Sequence, residues 1–205
     1  MENQSIVILD FGAQYSQLIA RRIREQNVFS VVLPCNASLK EIQSYSPLGI
    51  IFSGGPSSVY DADAPEAEKQ VFNLGAPVLG ICYGLQFMVH ALGGKVSPAP
   101  RREYGHARVE VTGKSALFAG LPSELEVWMS HGDEALELPA GFTLTAKSPS
   151  AVAAVENAAR KMWAVQFHPE VHHTKLGTEI LRNFVFNICG AKPNWTPQHL
   201  SLIHI

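Results

Sequence analysis

Residues 80–84 (GICYG) contain the residue types needed for nucleophilic catalysis by a cysteine. An apolar stretch precedes them and a helical pattern follows, which predicts that Cys82 lies at a sharp strand-to-helix turn above a sheet. The flanking glycines leave room for such a turn. The start of the helix favours thiolate over thiol, and the peptide N–H of Tyr83 is placed to bind an oxyanion. We therefore predict that Cys82 is a nucleophile, whereas Cys35 and Cys189 are small buried residues.

A base for this nucleophile is available far downstream, in residues 166–170 (QFHPE). A cysteine nucleophile needs an imidazole to move its proton, and the imidazole needs a carboxylate or amide to orient it. Pro169 separates His168 from Glu170 and biases His168 toward extended backbone. Because residues two apart in an extended segment project to the same side, we predict that His168 and Glu170 both face Cys82 from the end of a strand.

The neighbouring His172 and His173 raise the alternative of a metal site that includes His168. No helical i, i+4 spacing is evident so soon after Pro169, and no cysteine or second acidic ligand accompanies the histidines. We therefore predict no metal ligands in this chain.

Short β-branched runs alternate with amphipathic stretches in the first half of the chain. The predicted strands are residues 5–9, 29–33, 49–52 and 78–81. The predicted helices are residues 15–26, residues 39–45 with Ser38 as N-cap, residues 65–74 with proline in first position, and a stretch from the cysteine turn to about residue 92. Four strand–helix units in series predict an α/β fold with a mostly parallel, doubly wound sheet and helices on both faces.

The pattern changes after residue 94, because strands now follow one another without long helices. The predicted strands are residues 109–111, 125–129, 143–146, 151–155 and 163–167, with a hairpin around residues 157–160 and a closing helix at residues 178–188. This half therefore predicts an added antiparallel strand region.

The composition indicates one globular domain, because 46% of the 205 residues are hydrophobic and 17% are charged. A net charge of −2 is too small to indicate a nucleic-acid or membrane partner, so we expect neither. No apolar run approaches the roughly 18 residues of a membrane span, and the first residues lack the features of a signal peptide. The three scattered cysteines are typical of a reducing compartment, so we expect a cytoplasmic protein.

The combination of G-x-C-x-G with a distant H-P-E resembles the class I glutamine amidotransferases, and the resemblance extends over about residues 5–195. In that family the cysteine attacks the side-chain amide of glutamine, the histidine is general base and acid, and the glutamate orients the histidine. The resemblance assigns these roles to Cys82, His168 and Glu170. It also implies a flavodoxin-like sheet and the hydrolysis of glutamine to glutamate and ammonia.

The resemblance extends to the residues around the substrate. Residues 53–56 (SGGP) are similar to the family's oxyanion loop, which implies that the N–H of Gly55 acts together with that of Tyr83. Residues 130–133 (SHGD) resemble the segment that holds the amino-acid end of glutamine, where Asp133 would pair with the ammonium. The implied substrate-binding residues are Gln86, Ser130, Gly132 and Asp133.

Four stretches resemble one branch of this family in particular, in which the released ammonia aminates XMP to GMP. They are ILDFGAQYSQLIARRIRE, GICYGLQ, MSHGDE and QFHPEVHHT. The resemblance implies a partner, an ATP-pyrophosphatase domain or subunit, that uses ATP and Mg²⁺ to activate XMP. The S-G-G-x-D-S nucleotide loop of that partner is absent from this sequence, because Pro56 and two serines follow Ser53–Gly55. We therefore expect no cofactor for this domain itself.

Three segments are expected along the chain. Residues 1–190 would form the glutaminase domain, and residues 191–199 would begin a linker toward the ATP-pyrophosphatase domain. Residues 200–205 (LSLIHI) match the translation of CTGTCTCTTATACACATC, the end of a transposase-based sequencing adapter. We expect this tail to be non-native, and the alternative is a genuine apolar C-terminus.

Three other functions compete with this hypothesis. A glutaminase subunit of another pathway, such as carbamoyl phosphate, anthranilate or CTP synthesis, would usually lack the DFGAQY and SHGD segments. A non-catalytic flavodoxin-like regulatory module would not need all three catalytic groups. A cysteine peptidase is disfavoured because Gln86 and Asp133 suit a free amino acid better than a peptide.

Overall fold

The structure is a computed structural model that describes residues 5–196, without the side chains of residues 100–102. The end of the expected linker and the expected tail at 200–205 lie outside the described residues.

The described residues form one mixed sheet with the strand order β2-β1-β3-β4-β9-β8-β7-β5-β6. The strands are β1 (Ser5–Asp10), β2 (Phe29–Pro34), β3 (Pro47–Phe52), β4 (Val78–Ile81), β5 (Lys95–Val111), β6 (Glu124–Glu137), β7 (Thr143–Lys147), β8 (Val152–Asn157) and β9 (Met162–Val165). The first five strands in this order are parallel, and the remaining four join antiparallel. The predicted doubly wound sheet with an added antiparallel region is thus confirmed, and its parallel part has a flavodoxin-like order.

Helices cover both faces of the parallel part. They are α1 (Ser16–Arg24), α2 (Leu39–Ser44), α3 (Tyr83–Ala91) and α4 (Gly177–Arg182), which continues as a π-helix (Asn183–Ile188). The apolar sides of α1, α4 and the π-helix pack into one core, and those of α2 and α3 pack into a second core. As predicted, Ser38 caps α2, because its side chain accepts a hydrogen bond from the N–H of Glu41 at 3.2 Å. The closing helix differs from the prediction in widening to a π-helix at Asn183.

The predicted helix over residues 65–74 is wrong, because only a 3₁₀ helix at Lys69–Asn73 forms there. The carbonyl of Pro65 instead accepts a hydrogen bond from the hydroxyl of Tyr83 at 2.8 Å. Burial raises the pKa of Tyr83 to about 12, so this hydroxyl remains a donor to a higher pH than an exposed tyrosine would. This tertiary hydrogen bond therefore occupies the carbonyl that would have accepted the first hydrogen bond of the helix.

The antiparallel region is larger than predicted, since β5 and β6 form a ribbon of 17 and 14 residues. Pro98 and a left-handed Gly105, with φ of 105°, interrupt the alternating pattern of β5, and the pairing register shifts between Pro98 and Glu103. The hairpin around residues 157–160 is confirmed, because β8 and β9 pair antiparallel across the 3₁₀ turn Ala158–Arg160.

The carboxyl ends of β1, β3, β4 and β9 meet at one edge of the sheet, because these strands are neighbours and parallel. In open α/β sheets this edge is where ligands bind. The turn after β9 is packed against α4 there, since a methyl group on Gly177 would overlap the backbone carbonyl of Pro169.

Replacement of Gly177 by alanine is therefore expected to destabilise the protein by about 1–3 kcal/mol, the usual cost of overpacking. Gly113→Ala is the matched control, because a methyl group there would come no closer than 3.8 Å to another atom. Chemical denaturation followed by circular dichroism measures both variants. Equal unfolding midpoints for the two variants would contradict the expected packing role of Gly177.

Candidate active site

Cys82 occupies a strained turn between β4 and α3. Its φ of 53° and ψ of −107° lie in a region that non-glycine residues rarely adopt. Its N–H donates to the carbonyl of Val165 at 2.8 Å, which ties the turn to β9. A methyl group on Gly80 would lie 2.6 Å from the carbonyl oxygen of Gly84, and one on Gly84 would lie 2.6 Å from that of Phe52. The turn therefore requires glycine on both sides of the cysteine.

His168 and Glu170 are in contact, with 2.8 Å between Nδ1 of the imidazole and Oε1 of the carboxylate. Both side chains are almost fully buried. The predicted extended segment is wrong, because β9 ends at Val165 and residues 169–170 form a turn. This turn folds the carboxylate back onto the ring, as Pro169 cannot continue a strand ladder.

Several hydrogen bonds fix the backbone on which this contact depends. The N–H of His168 donates to the carbonyl of Trp128 at 3.0 Å, and its carbonyl accepts from the hydroxyl of Thr174 at 2.6 Å. The carbonyl of Glu170 accepts from Nε of Arg22 at 3.0 Å. Groups from β6, α1 and the segment before α4 thus hold the turn.

The side chain of His168 also interacts with that of Cys82, and this interaction helps to raise the pKa of His168. Because Nδ1 contacts Glu170, the ring nitrogen available to the sulfur is Nε2. Gly54 lies beneath both side chains, since a methyl group there would be 3.0 Å from the imidazole Cε1 and 3.6 Å from Cβ of Cys82. The parts of the predicted triad are therefore brought together from β4 and the end of β9.

The electrostatics favour a charged imidazole at this position. Burial opposes the charged form of His168, but the negative charge of Glu170, the interaction with Cys82 and the hydrogen bond to Glu170 outweigh it. Together they hold the pKa of His168 well above its usual range. An imidazolium next to the sulfur stabilises a thiolate, which is the reactive form of cysteine.

A cavity of about 430 Å³ opens beside Cys82. Its walls are formed by Gly55, Pro56, Ser57, Ser58, Cys82, Gln86, Tyr104, Ser130, His131, Gly132 and Asp133. All the residues predicted to bind substrate lie in these walls, together with Gly55. The side chain of Tyr83 instead extends to Pro65, so its predicted oxyanion contact depends on the N–H at the start of α3.

Asp133 has a buried carboxylate oxygen, Oδ2, with no hydrogen-bond partner within residues 5–196. A buried carboxylate oxygen without a partner is costly, and a cation that entered the cavity would relieve that cost. The backbone carbonyl of the same residue accepts from Nε2 of Gln86 at 2.8 Å. The cavity therefore has a polar end suited to a small positively charged group.

Comparison with known proteins agrees with this geometry. The family model of the class I glutamine amidotransferases matches residues 7–188. The chain belongs to the class I glutamine amidotransferases.

Two relatives share the name GMP synthase (glutamine-hydrolyzing). The protein from Listeria welshimeri is 51% identical over 205 residues, which are 100% of this chain and 40% of the relative. The protein from Lactococcus lactis is 53% identical over 197 residues, which are 96% of this chain and 38% of the relative. This amidotransferase chain thus spans about 40% of the length of the relatives that it matches.

Two solved structures are similar over nearly the whole chain. That of a candidate GMP synthase subunit from Thermoplasma acidophilum has a TM-score of 0.83 at 32% identity and covers 100% of both chains. A glutamine amidotransferase from Thermotoga maritima has a TM-score of 0.74 at 19% identity, covering 93% of this chain and 100% of that one, and shares the fold.

Some residues of this amidotransferase site were not found from the sequence. Gln166 is fully buried and its Nε2 lies 3.7 Å from the sulfur of Cys82. His131 lies between the carbonyl of Asp133, at 2.9 Å from Nδ1, and Glu103, at 3.3 Å from Nε2. The sequence signal available for Gln166 was a glutamine directly after an apolar strand. The contact between His131 and Glu103 gave no such signal, because it depends on the long β5–β6 pairing.

His172 and His173 do not join His168. Their rings lie against each other, with centroids 3.7 Å apart, and His173 stacks on Trp128 at 4.4 Å. Within residues 5–196, no three histidine, cysteine or acidic side chains are grouped to hold a metal ion. In the same part of the chain, no helix is long and apolar enough to cross a membrane.

The replacement Glu170→Gln is expected to lower the pKa of His168, because it removes the largest influence that favours the imidazolium. His168 would then lose its proton at a lower pH than in the wild type. NMR of ¹³C-labelled histidine measures this titration. Glu103→Gln is the matched control, since Glu103 contacts His131 rather than His168. An unchanged His168 titration in Glu170→Gln would show that the carboxylate does not hold the imidazolium.

Proposed function

We propose that this chain hydrolyses glutamine to glutamate and ammonia with Cys82, His168 and Glu170 as its catalytic triad. The observation that carries this proposal is a buried imidazole that contacts Glu170 and lies, with Cys82, against Gly54 beside a polar cavity. Membership of the class I glutamine amidotransferases supports the same reaction.

In the first half of the reaction, the thiolate of Cys82 attacks the side-chain amide carbon of glutamine. A tetrahedral oxyanion forms, and the N–H groups of Gly55 and Tyr83 donate hydrogen bonds to it. The imidazolium of His168 gives its proton to the leaving nitrogen, the C–N bond breaks, and ammonia departs. A glutamyl thioester on Cys82 remains.

In the second half, the now neutral His168 takes a proton from water, which attacks the thioester carbon. The C–S bond breaks, glutamate leaves, and the thiolate–imidazolium pair is restored. Glu170 stays ionised throughout and holds the imidazole through Nδ1, so that Nε2 remains available to the sulfur and to water.

Recognition of the amino-acid end of glutamine is assigned to the part of the cavity wall formed by residues of β6. The unpartnered carboxylate oxygen of Asp133 would bind the α-ammonium. Ser130 and the backbone of Gly132 line the same wall, and Gln86 lies one helical turn after the nucleophile. These contacts suit a free amino acid, because a peptide would not supply the ammonium.

We further propose that the ammonia is used to aminate XMP to GMP. The names of the relatives from Listeria welshimeri and Lactococcus lactis support this destination. The amination would take place on an ATP-pyrophosphatase domain or subunit, with ATP and Mg²⁺ needed only there. Residues 1–190 would be the glutaminase domain, in line with the family match over residues 7–188. A reducing cytoplasm is the compartment that we expect for this chemistry.

Replacement of Cys82 by alanine is expected to abolish glutamate release from glutamine, because no nucleophile remains. Cys35→Ala is the control and should retain wild-type activity, since Cys35 is a half-buried thiol outside the cavity. A coupled glutamate assay measures all three proteins, alone and with an ATP-pyrophosphatase partner, XMP and ATP. Full activity in Cys82→Ala would refute the triad. A rate of glutamate release that does not change when XMP and ATP are added would count against the proposed use of the ammonia to aminate XMP.

Replacement of Asp133 by asparagine is expected to raise KM for glutamine about 10- to 100-fold, the usual worth of a charge-assisted hydrogen bond. The effect on kcat should be smaller, because the ammonium is remote from the reacting carbon. Glu134→Gln is the control, since adjacent residues on a strand face opposite sides. Steady-state kinetics measure both variants, and an unchanged KM in Asp133→Asn would remove Asp133 from the binding site.

A further inference from the structure

Gln166 lies between the nucleophile and the substrate-binding wall. It is 0% exposed, although glutamine side chains are normally found in water. One end of its amide is 3.7 Å from the sulfur of Cys82, and the other is 3.5 Å from Nε2 of Gln86. A buried amide must find hydrogen-bond partners. The amide of Gln166 has one at each end, the sulfur of Cys82 and the side chain of Gln86.

The orientation of the Gln86 and Gln166 amides follows from the backbone carbonyl of Asp133, which contacts Gln86. The carbonyl of Asp133 only accepts, so the group of Gln86 that contacts it at 2.8 Å is the NH₂ group. The same NH₂ group faces Gln166, which must therefore present its oxygen. The NH₂ group of Gln166 consequently faces the sulfur of Cys82 and donates to it.

A donor at this position distinguishes the two forms of the cysteine. As a thiol, Cys82 can donate its own hydrogen to the carbonyl of Ser130, 3.5 Å from the sulfur. As a thiolate it only accepts, and the NH₂ group of Gln166 is a donor that needs no rearrangement. Hydrogen bonds to charged groups are stronger than those to neutral ones, so the contact favours the thiolate.

Three charged groups also act on the sulfur. His168 interacts with the side chain of Cys82, Glu170 contacts Nδ1 of His168, and Asp133 lines the same cavity. The imidazolium supports the thiolate, whereas the carboxylate of Asp133 opposes it. Gln166 differs from all three because it is uncharged, and its influence on the sulfur therefore does not change with pH.

We propose that Gln166 is a further catalytic residue, which donates a hydrogen bond from its side-chain amide to the thiolate of Cys82 and is held in that orientation by Gln86. Its importance for turnover rests on the proposed glutaminase function. Its effect on the thiolate does not, since that effect exists without substrate.

The test is the pH dependence of Cys82 alkylation by iodoacetamide, measured by mass spectrometry of the peptide that contains Cys82. Gln166→Met keeps the unbranched shape but removes the donor, and Gln166→Glu places a carboxylate oxygen near the sulfur. The midpoint should move to higher pH in the methionine variant and further in the glutamate variant. At a pH below the wild-type midpoint, the methionine variant should react about tenfold more slowly, as for loss of one hydrogen bond to a charged group.

The matched control is Asn183→Leu, which removes a buried amide bonded to the carbonyls of Leu117 and Ala119, remote from the cavity. It is expected to lower stability without moving the alkylation midpoint. In glutaminase assays, Gln166→Met should lower kcat about tenfold and change KM less than about threefold.

Alkylation midpoints equal to that of the wild type in both Gln166 variants would overturn the proposal. So would a shift of the same size in Asn183→Leu, because the effect would then follow general loosening of the core. If one Gln166 variant fails to fold, the other still decides. If the wild type does not hydrolyse glutamine, the proposed function fails, while the alkylation profiles still test the role of Gln166.

Discussion

A carboxylate held out of water against an imidazole is the interaction on which the rest of this site depends. Glu170 has a fully buried side chain, and an ionised group in such a position is stable only with a partner. His168 supplies that partner through Nδ1, which leaves Nε2 for the sulfur. The contact therefore fixes three properties of the imidazole at once, namely its orientation, its tautomer and its affinity for a proton.

The sheet makes this interaction useful by bringing a cysteine to it. Parallel strands β4 and β9 are neighbours, so the turn that carries Cys82 and the turn that carries His168 leave the same edge. The hydrogen bond from the N–H of Cys82 to the carbonyl of Val165 joins these turns directly. Strain at Cys82, with φ of 53°, is tolerated because the surrounding strands and glycines allow no other course of the chain.

The three residues proposed as a triad could be singled out from the sequence because each lies in a short motif with a strong local context, GICYG for Cys82 and QFHPE for His168 and Glu170. The turn at Glu170 and the loss of the helix at Pro65 could not be predicted, since each depends on a contact outside its own segment. Arg22 of α1 donates to the carbonyl of Glu170, and the hydroxyl of Tyr83 donates to the carbonyl of Pro65. The length of β5 was hidden for a different reason. Proline and a left-handed glycine weaken its alternation, and only pairing with β6 reveals it.

In the proposed mechanism, substrate binding and chemistry come from different halves of the fold. The turns after the parallel strands carry Cys82 and His168, the proposed nucleophile and base, and the glycines that pack closely around them. The antiparallel ribbon supplies the carboxylate of Asp133, and the contact between His131 and Glu103 ties this segment to β5. The proposed substrate would contact both halves, with its charged end held by the ribbon and its amide over the cysteine. Gln86 and Gln166 connect the two halves, because their side chains link the backbone of Asp133 in the ribbon to the sulfur of Cys82.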